Sequence, residues 1–143
     1  MRLFCVIWIL QSICLVAQAQ TLRQGIQGQV FLVANSLADS SVANPNPNTG
    51  VRREVVIYEL TTLDMASHEN GIFRNLPTTL VTSIISEDDG SFKVKLLPGT
   101  YSVFVKEGDG FYANLFDQNR INPVVVKPKQ YAWVTITIEY PGL

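Results

Sequence analysis

The feature that most constrains this chain is a two-residue alternation of apolar and polar side chains that recurs from Ile26 to Tyr140. Such spacing turns one face of a pleated strand toward a core and the other toward water. It is clearest near the C-terminus, where Val134, Ile136, Ile138 and Tyr140 fall on one side and Trp133, Thr135, Thr137 and Glu139 on the other. The aliphatic side is the one expected to be buried. Phe92, Val94 and Leu96 alternate with Lys93 and Lys95, and Tyr101, Val103 and Val105 repeat the pattern. Further strands are expected near 25–34, 54–60, 79–86 and 123–127.

Turn residues punctuate these runs. Glu87-Asp88-Asp89-Gly90 and Leu97-Pro98-Gly99-Thr100 read as hairpin connections, with Asp satisfying turn donors, Pro98 presetting φ, and Gly90 and Gly99 expected at positive φ. Strand follows strand with no helical pattern between, which disfavours parallel βαβ units and favours an all-β antiparallel sandwich. Two connections between Thr61 and Pro77 and between Asn35 and Gly50 are long. The latter carries Asn44-Pro45-Asn46-Pro47-Asn48, little that could be buried, and reads as an exposed loop. A third, Gly108 to Asn122, holds Phe111, Tyr112, Leu115 and Phe116 and is expected to lie ordered against the sandwich, with Trp133 a candidate for the surface it covers.

At the N-terminus, Arg2 precedes an apolar run from Leu3 to Val16 and then Ala17-Gln18-Ala19, the order of a secretory signal peptide. The expected division is a signal at 1–19 and one domain at 20–143, so the product is periplasmic or extracellular. The run is shorter than the roughly twenty residues a spanning helix needs, so no permanent membrane span is expected. Both cysteines, Cys5 and Cys14, fall inside the signal, and Gln11-Ser12-Ile13 before Cys14 departs from a lipid-attachment pattern. Loss of Arg2 leaves ten basic against twelve acidic residues, a near-neutral balance with no overall footprint for nucleic acid.

Four stretches read together carry a family pattern: Gly28-Gln29-Val30, Val55-Val56-Ile57-Tyr58, Ser86 to Phe92, and Leu97-Pro98-Gly99-Thr100-Tyr101-Ser102-Val103. In order and spacing they resemble the carboxypeptidase regulatory-like domain family over roughly residues 25 to 140. The loops at 35–50 and 61–77 exceed the family's usual lengths. What the resemblance implies is a transthyretin-like, Greek-key antiparallel β-sandwich of about seven strands, grouped with starch-binding-like folds, and a non-catalytic accessory habit in secreted and envelope proteins.

Catalytic chemistry finds few carriers. After the signal there is one histidine, His68, and no cysteine, which rules out the usual His/Cys zinc site. Ser67-His68-Glu69-Asn70-Gly71 reads as a polar turn, and Asp88, Asp89, Asp109 and Asp117 sit where Asp serves turn geometry. Glu87, Asp88, Asp89 and Asp109 are hard oxygen donors, but the spacing of a calcium loop is absent. Neither enzyme activity, metal nor cofactor is expected. The residues with a binding chemistry are aromatic: Tyr131 and Trp133 beside Thr135 and Thr137 on the polar side of the last strand, and Phe111, Tyr112 and Phe116. Exposed aromatic planes stack on sugar rings, so the expected partner is carbohydrate or another envelope protein. The alternative is a structural subunit that pairs through an exposed sheet edge.

Overall fold

A computed structural model describes residues 23–33 and 48–139. The expected signal segment, most of the Asn/Pro-rich stretch and Tyr140 lie outside the described residues. The described part is strand and turn, with no helix. Its long strands follow the alternation: β1 (Gly25–Val33), β3 (Glu54–Glu59), β6 (Leu80–Ile85), β7 (Ser91–Lys95), β8 (Gly99–Glu107), β12 (Pro123–Val126) and β13 (Tyr131–Glu139). Short strands fill the connections: β2 (Asn48–Gly50), β4 (Ser67–Glu69), β5 (Ile72–Arg74), β9 (Gly110–Tyr112), β10 (Phe116–Asp117) and β11 (Arg120–Ile121).

They form two main sheets. In the four-stranded sheet β1 is central, with β13 along one side and β7 and β2 sharing the other. The seven-stranded sheet runs β6-β3-β8, and then both β12 and β9 line the far edge of β8, with β5 and β4 continuing beyond β9. The strands β10 and β11 form a separate ribbon.

Antiparallel pairing prevails, with one departure from expectation. The strands β1 and β13 pair in parallel over nine residues, from Gly25 opposite Tyr131 to Val33 opposite Glu139. No βαβ crossover is needed, because nearly the whole domain connects the two strands. Local alternation fixes which face each strand buries and says nothing about its direction relative to a distant partner.

Between the sheets lies the main core. Ile26, Val30, Phe92, Val134, Ile136 and Ile138 come from the four-stranded sheet, and Val55, Ile57, Val103, Val105, Val124 and Val126 from the other. A second cluster occupies the opposite face of the seven-stranded sheet, where Val56, Phe73, Phe104 and Ile121 are buried. Tyr58 and Phe111 close around Phe104 in edge-on contacts at 5.8 and 6.4 Å. At the centre of this sheet, β3 and β8 are therefore apolar on both faces, which explains the unbroken Val55-Val56-Ile57 run. Each buried phenylalanine contributes on the order of 1.5–3 kcal/mol.

The long connection at 61–77 is mostly a hairpin rather than a loop. Asn70 and Gly71 both take positive φ, 52° and 78°, the pair of conformations of a two-residue type I′ turn. Ser67-His68-Glu69 is thus the first strand of that hairpin. The segment 108–122 likewise contains β9, β10 and β11 and is anchored by the buried Tyr112 and the half-buried Phe111, whereas Leu115 and Phe116, expected to be covered with them, are exposed. Gly90 has the expected positive φ of 84°, whereas Gly99 has none and opens β8 as an exposed, extended residue. The Leu97–Thr100 connection is therefore shaped without a left-handed glycine.

Polar groups in the interior are paired. Ser86 Oγ accepts from the Arg53 N–H at 2.8 Å and donates to the Val51 carbonyl at 3.0 Å. Ser102 Oγ accepts from the Thr61 N–H at 2.9 Å, and Asn122 donates to the Val103 carbonyl at 2.8 Å. Asn122 itself takes positive φ just before Pro123, a conformation Asn tolerates better than most residues. Among the described residues no buried side-chain nitrogen or oxygen lacks a partner.

Candidate functional site

The five aromatic candidates divide among three places. Tyr112 belongs to the main core at 4 % exposure, which removes it from any ligand surface. Its hydroxyl reaches across to β13, donating to the Thr137 carbonyl at 3.2 Å and accepting from the Glu139 N–H at 3.1 Å. Phe111 is half-buried against Tyr58, with ring centroids 5.6 Å apart. Phe116, 44 % exposed, lies beside Phe73 and His68 at 6.3 and 6.4 Å. Both phenylalanines sit on the outer side of the seven-stranded sheet, so neither covers Trp133.

Trp133 stands on the outer face of the four-stranded sheet and is 63 % exposed. Its position follows from parity: Val134, Ile136 and Ile138 point into the core, so residues 131, 133 and 135 point outward. The indole N–H donates to Thr135 Oγ1 at 3.1 Å, which ties the ring to its own strand while most of it stays exposed to solvent. Directly across β1, Gln27 is the register partner of both Trp133 and Lys93. One row earlier, Gly25 is the partner of both Tyr131 and Lys95.

Lys93 Nζ lies 4.2 Å from the centre of the half-buried Tyr131 ring, a cation–π contact that holds the ammonium beside the tryptophan. Any Cβ at Gly25, whose φ is 156°, would run into the Val94 carbonyl oxygen, so only glycine allows the close approach of β1 and β7 there.

A groove of about 380 Å³ adjoins this platform. Trp133, Gln27 and Lys93 line one side, Ser91 and Glu87 supply further polar groups, and Ile84 and Ile85 of β6 form the apolar lip. It opens where β6 and β7 leave their connecting turn and enter different sheets. Asp89 shapes that turn: its carboxylate accepts from the Ser91 N–H at 2.9 Å and the Ser91 hydroxyl at 2.6 Å, which hold it below its ordinary pKa. A planar aromatic, an amide, an ammonium, a hydroxyl and a carboxylate around one shallow groove form a hydrogen-bonding set with a stacking surface.

The other candidates do not converge. Ser67 pairs with Arg74 and Glu69 with Ile72, while His68 pairs with Phe73. Strand alternation therefore puts His68 on the opposite side from both Ser67 and Glu69. The imidazole stacks on Phe73 with centroids 4.9 Å apart. Asp109 pairs with Arg74 at 2.5 Å, and the hydrogen bond from that guanidinium, with its charge, lowers the carboxyl's pKa. Asp117 pairs with Arg120, and Asp88 with Arg52 at 3.3 Å. Among the described residues no three His, Cys, Asp or Glu side chains gather as a metal site, and no helix is long and apolar enough to cross a membrane.

No family model, curated protein or solved structure matches the chain.

Proposed function

We propose that this chain is an exported, non-catalytic binding module of the bacterial cell envelope, a transthyretin-like sandwich of carboxypeptidase regulatory-like type, that takes carbohydrate on the outer face of its four-stranded sheet. The observation that carries the reading is Trp133: a large aromatic at 63 % exposure, oriented by Thr135 and flanked by Gln27, Lys93 and Tyr131. An indole face in water is unfavourable by itself, and stacking against the apolar face of a sugar ring relieves that exposure while the neighbouring polar groups receive its hydroxyls. The signal-like N-terminus supports export, and the four motif stretches support the sandwich type.

The reading is tested on a glycan array with the purified protein beside Trp133→Ala. Glycan binding that Trp133→Ala abolishes is the expected result. Absence of binding by the native protein, or binding untouched by the substitution, would overturn it.

A second reading rests on β6. Its outer edge pairs with no strand among the described residues, and Leu80, Val81 and Ile85 are exposed along it. Unprotected edges of this kind pair with other chains. A register shift between Ile57 and Tyr58 breaks the regular pairing of β6 near its start, which limits the length of edge on offer. Under this reading Leu80→Lys converts a self-associating protein into a monomer in sedimentation; under the binding reading it leaves both mass and glycan binding unchanged.

A further inference from the structure

We infer that the polysaccharide taken by this face is anionic, carrying carboxylate or sulfate groups; the inference rests on the carbohydrate reading above and deepens it.

The observation is a separation of charge that the near-neutral total conceals. Ten lysines and arginines lie among the described residues. Arg52, Arg53, Arg74, Lys106 and Arg120 each pair with a carboxylate, all on or beside the seven-stranded sheet and its connections. The other five, Arg23, Lys93, Lys95, Lys127 and Lys129, have no ion-pair partner among the described residues, and all five are exposed.

These five share one end of the four-stranded sheet. Lys93 and Lys95 project from β7 on the same face as Trp133 and Tyr131, in the two rows that cross Gln27 and Gly25. Lys127 and Lys129 lie in the turn between β12 and β13. That turn is bound to the start of β1, since the Lys129 N–H donates to Gln24 Oε1 at 3.1 Å and the Gly25 N–H to the Gln130 carbonyl at 3.1 Å. The end of β7 joins the same knot through the Leu96 N–H and the Gln24 carbonyl, 3.1 Å apart, and Arg23 immediately precedes it.

The segments that build this end, 23–33, 91–106 and 121–138, contain no acidic residue. Glu87 is the one carboxylate lining the neighbouring groove. Like charges held together unpaired repel one another, and an anionic ligand that spans them replaces this repulsion by attraction.

The shape of the patch distinguishes among polyanions. The cations gather at one end of the four-stranded sheet, Lys93 and Lys95 on its outer face and Arg23, Lys127 and Lys129 in the segments joined at that end, while the eleven acidic residues of the described part lie outside those segments. A flat anionic membrane or a duplex needs the charges alone, whereas a saccharide also stacks on the indole that lines the same groove as Lys93. Lys93 reaches back across β1 to the Tyr131 ring, two residues before Trp133 on the same strand and so about 7 Å along it, roughly the span of one to two sugar residues. One ring stacked on the indole thereby places its own or the next residue's carboxylate within reach of the ammonium that Tyr131 holds in position.

The test measures binding of the native protein, Trp133→Ala and the triple variant Lys93→Gln/Lys95→Gln/Lys129→Gln to polygalacturonate, chondroitin sulfate, amylose, a DNA duplex and phosphatidylglycerol vesicles. Expected are binding to at least one of the two anionic polysaccharides, loss of at least about tenfold in the triple variant and between about 50 and 300 mM salt, and loss in Trp133→Ala. Restoration by Lys93→Arg/Lys95→Arg/Lys129→Arg shows that charge, not folding, was removed. Glu87→Gln tightens binding. Binding to amylose equal to that of the anionic chains and insensitive to the triple variant overturns the anionic inference and leaves the carbohydrate reading standing. Binding to none of the polysaccharides overturns both. Equal binding to the duplex or vesicles without dependence on Trp133 also overturns both, since charge alone would then account for it.

Discussion

Tyr112 stands in for a missing strand beside Thr137: its hydroxyl donates to the Thr137 carbonyl at 3.2 Å and accepts the Glu139 N–H at 3.1 Å, on the side of β13 away from β1. Asn114 adds a second donor to the same carbonyl at 3.1 Å. One sheet thus covers part of the open edge of the other with side chains, a device that discourages pairing with another chain. Tyr112→Phe keeps the ring in the core and removes both bonds. We expect a loss of about 1–2 kcal/mol in denaturant unfolding and faster hydrogen exchange at the Glu139 amide. Unchanged exchange there would show that the hydroxyl does not cap the edge.

Burial pushes the Tyr112 phenol above its ordinary pKa, outweighing the bond from Glu139, and raises Tyr101 as well. The folded protein therefore keeps protons that the unfolded chain releases near pH 10. Stability from this source is complete below that pH and falls as pH rises toward the higher folded values. Unfolding free energy measured from pH 9 to 11 should decline, and less steeply in Tyr112→Phe. An identical slope in the variant would remove Tyr112 from the account.

Two glycines in neighbouring turns should respond oppositely to alanine. Gly90 has φ 84°, and a Cβ there would collide with the Val30 carbonyl oxygen. Gly99 has ordinary φ, and the nearest atom to its Cβ would be Tyr101 Oη at 3.5 Å. Gly90→Ala should cost about 1–3 kcal/mol or more, and Gly99→Ala should be within about 0.5 kcal/mol of neutral. Thermal unfolding of the pair checks both; equal shifts would contradict the geometry.

What was legible in the sequence is what depends on local alternation. Phe92 and Leu96 are buried on either side of the exposed Lys93 and Lys95, and Val134, Ile136 and Ile138 are buried on the face opposite Trp133. Parity placed that tryptophan on the outer face, but whether the 108–122 segment would cover it depended on contacts between distant segments. The second apolar cluster was less visible, because Phe73, Phe104 and Ile121 come from three separate segments and only the unbroken Val55-Val56-Ile57 run signals a strand buried on both sides. Asn70-Gly71 was a readable hairpin turn masked by its polar flank, Ser67-His68-Glu69. Parallel pairing of β1 with β13 and the gathering of Lys93, Lys95, Lys127 and Lys129 with Arg23 left no local trace, since both depend on which distant strands become neighbours.

A saccharide that stacks on Trp133 covers the exposed indole, and the fluorescence of that tryptophan reports the contact. The chain has two tryptophans, Trp8 and Trp133, and Trp8 falls in the expected signal segment, so the exported protein beginning at Gln20 carries Trp133 as its single reporter. Titrating that protein with polygalacturonate and chondroitin sulfate should shift the emission to shorter wavelength and saturate for at least one of them, as a solvent-facing indole becomes covered, with added salt reversing the change. Emission that stays at its solvent-exposed wavelength throughout both titrations, while binding is detected by another method, would contradict the account, because the ligand would then sit elsewhere on the protein.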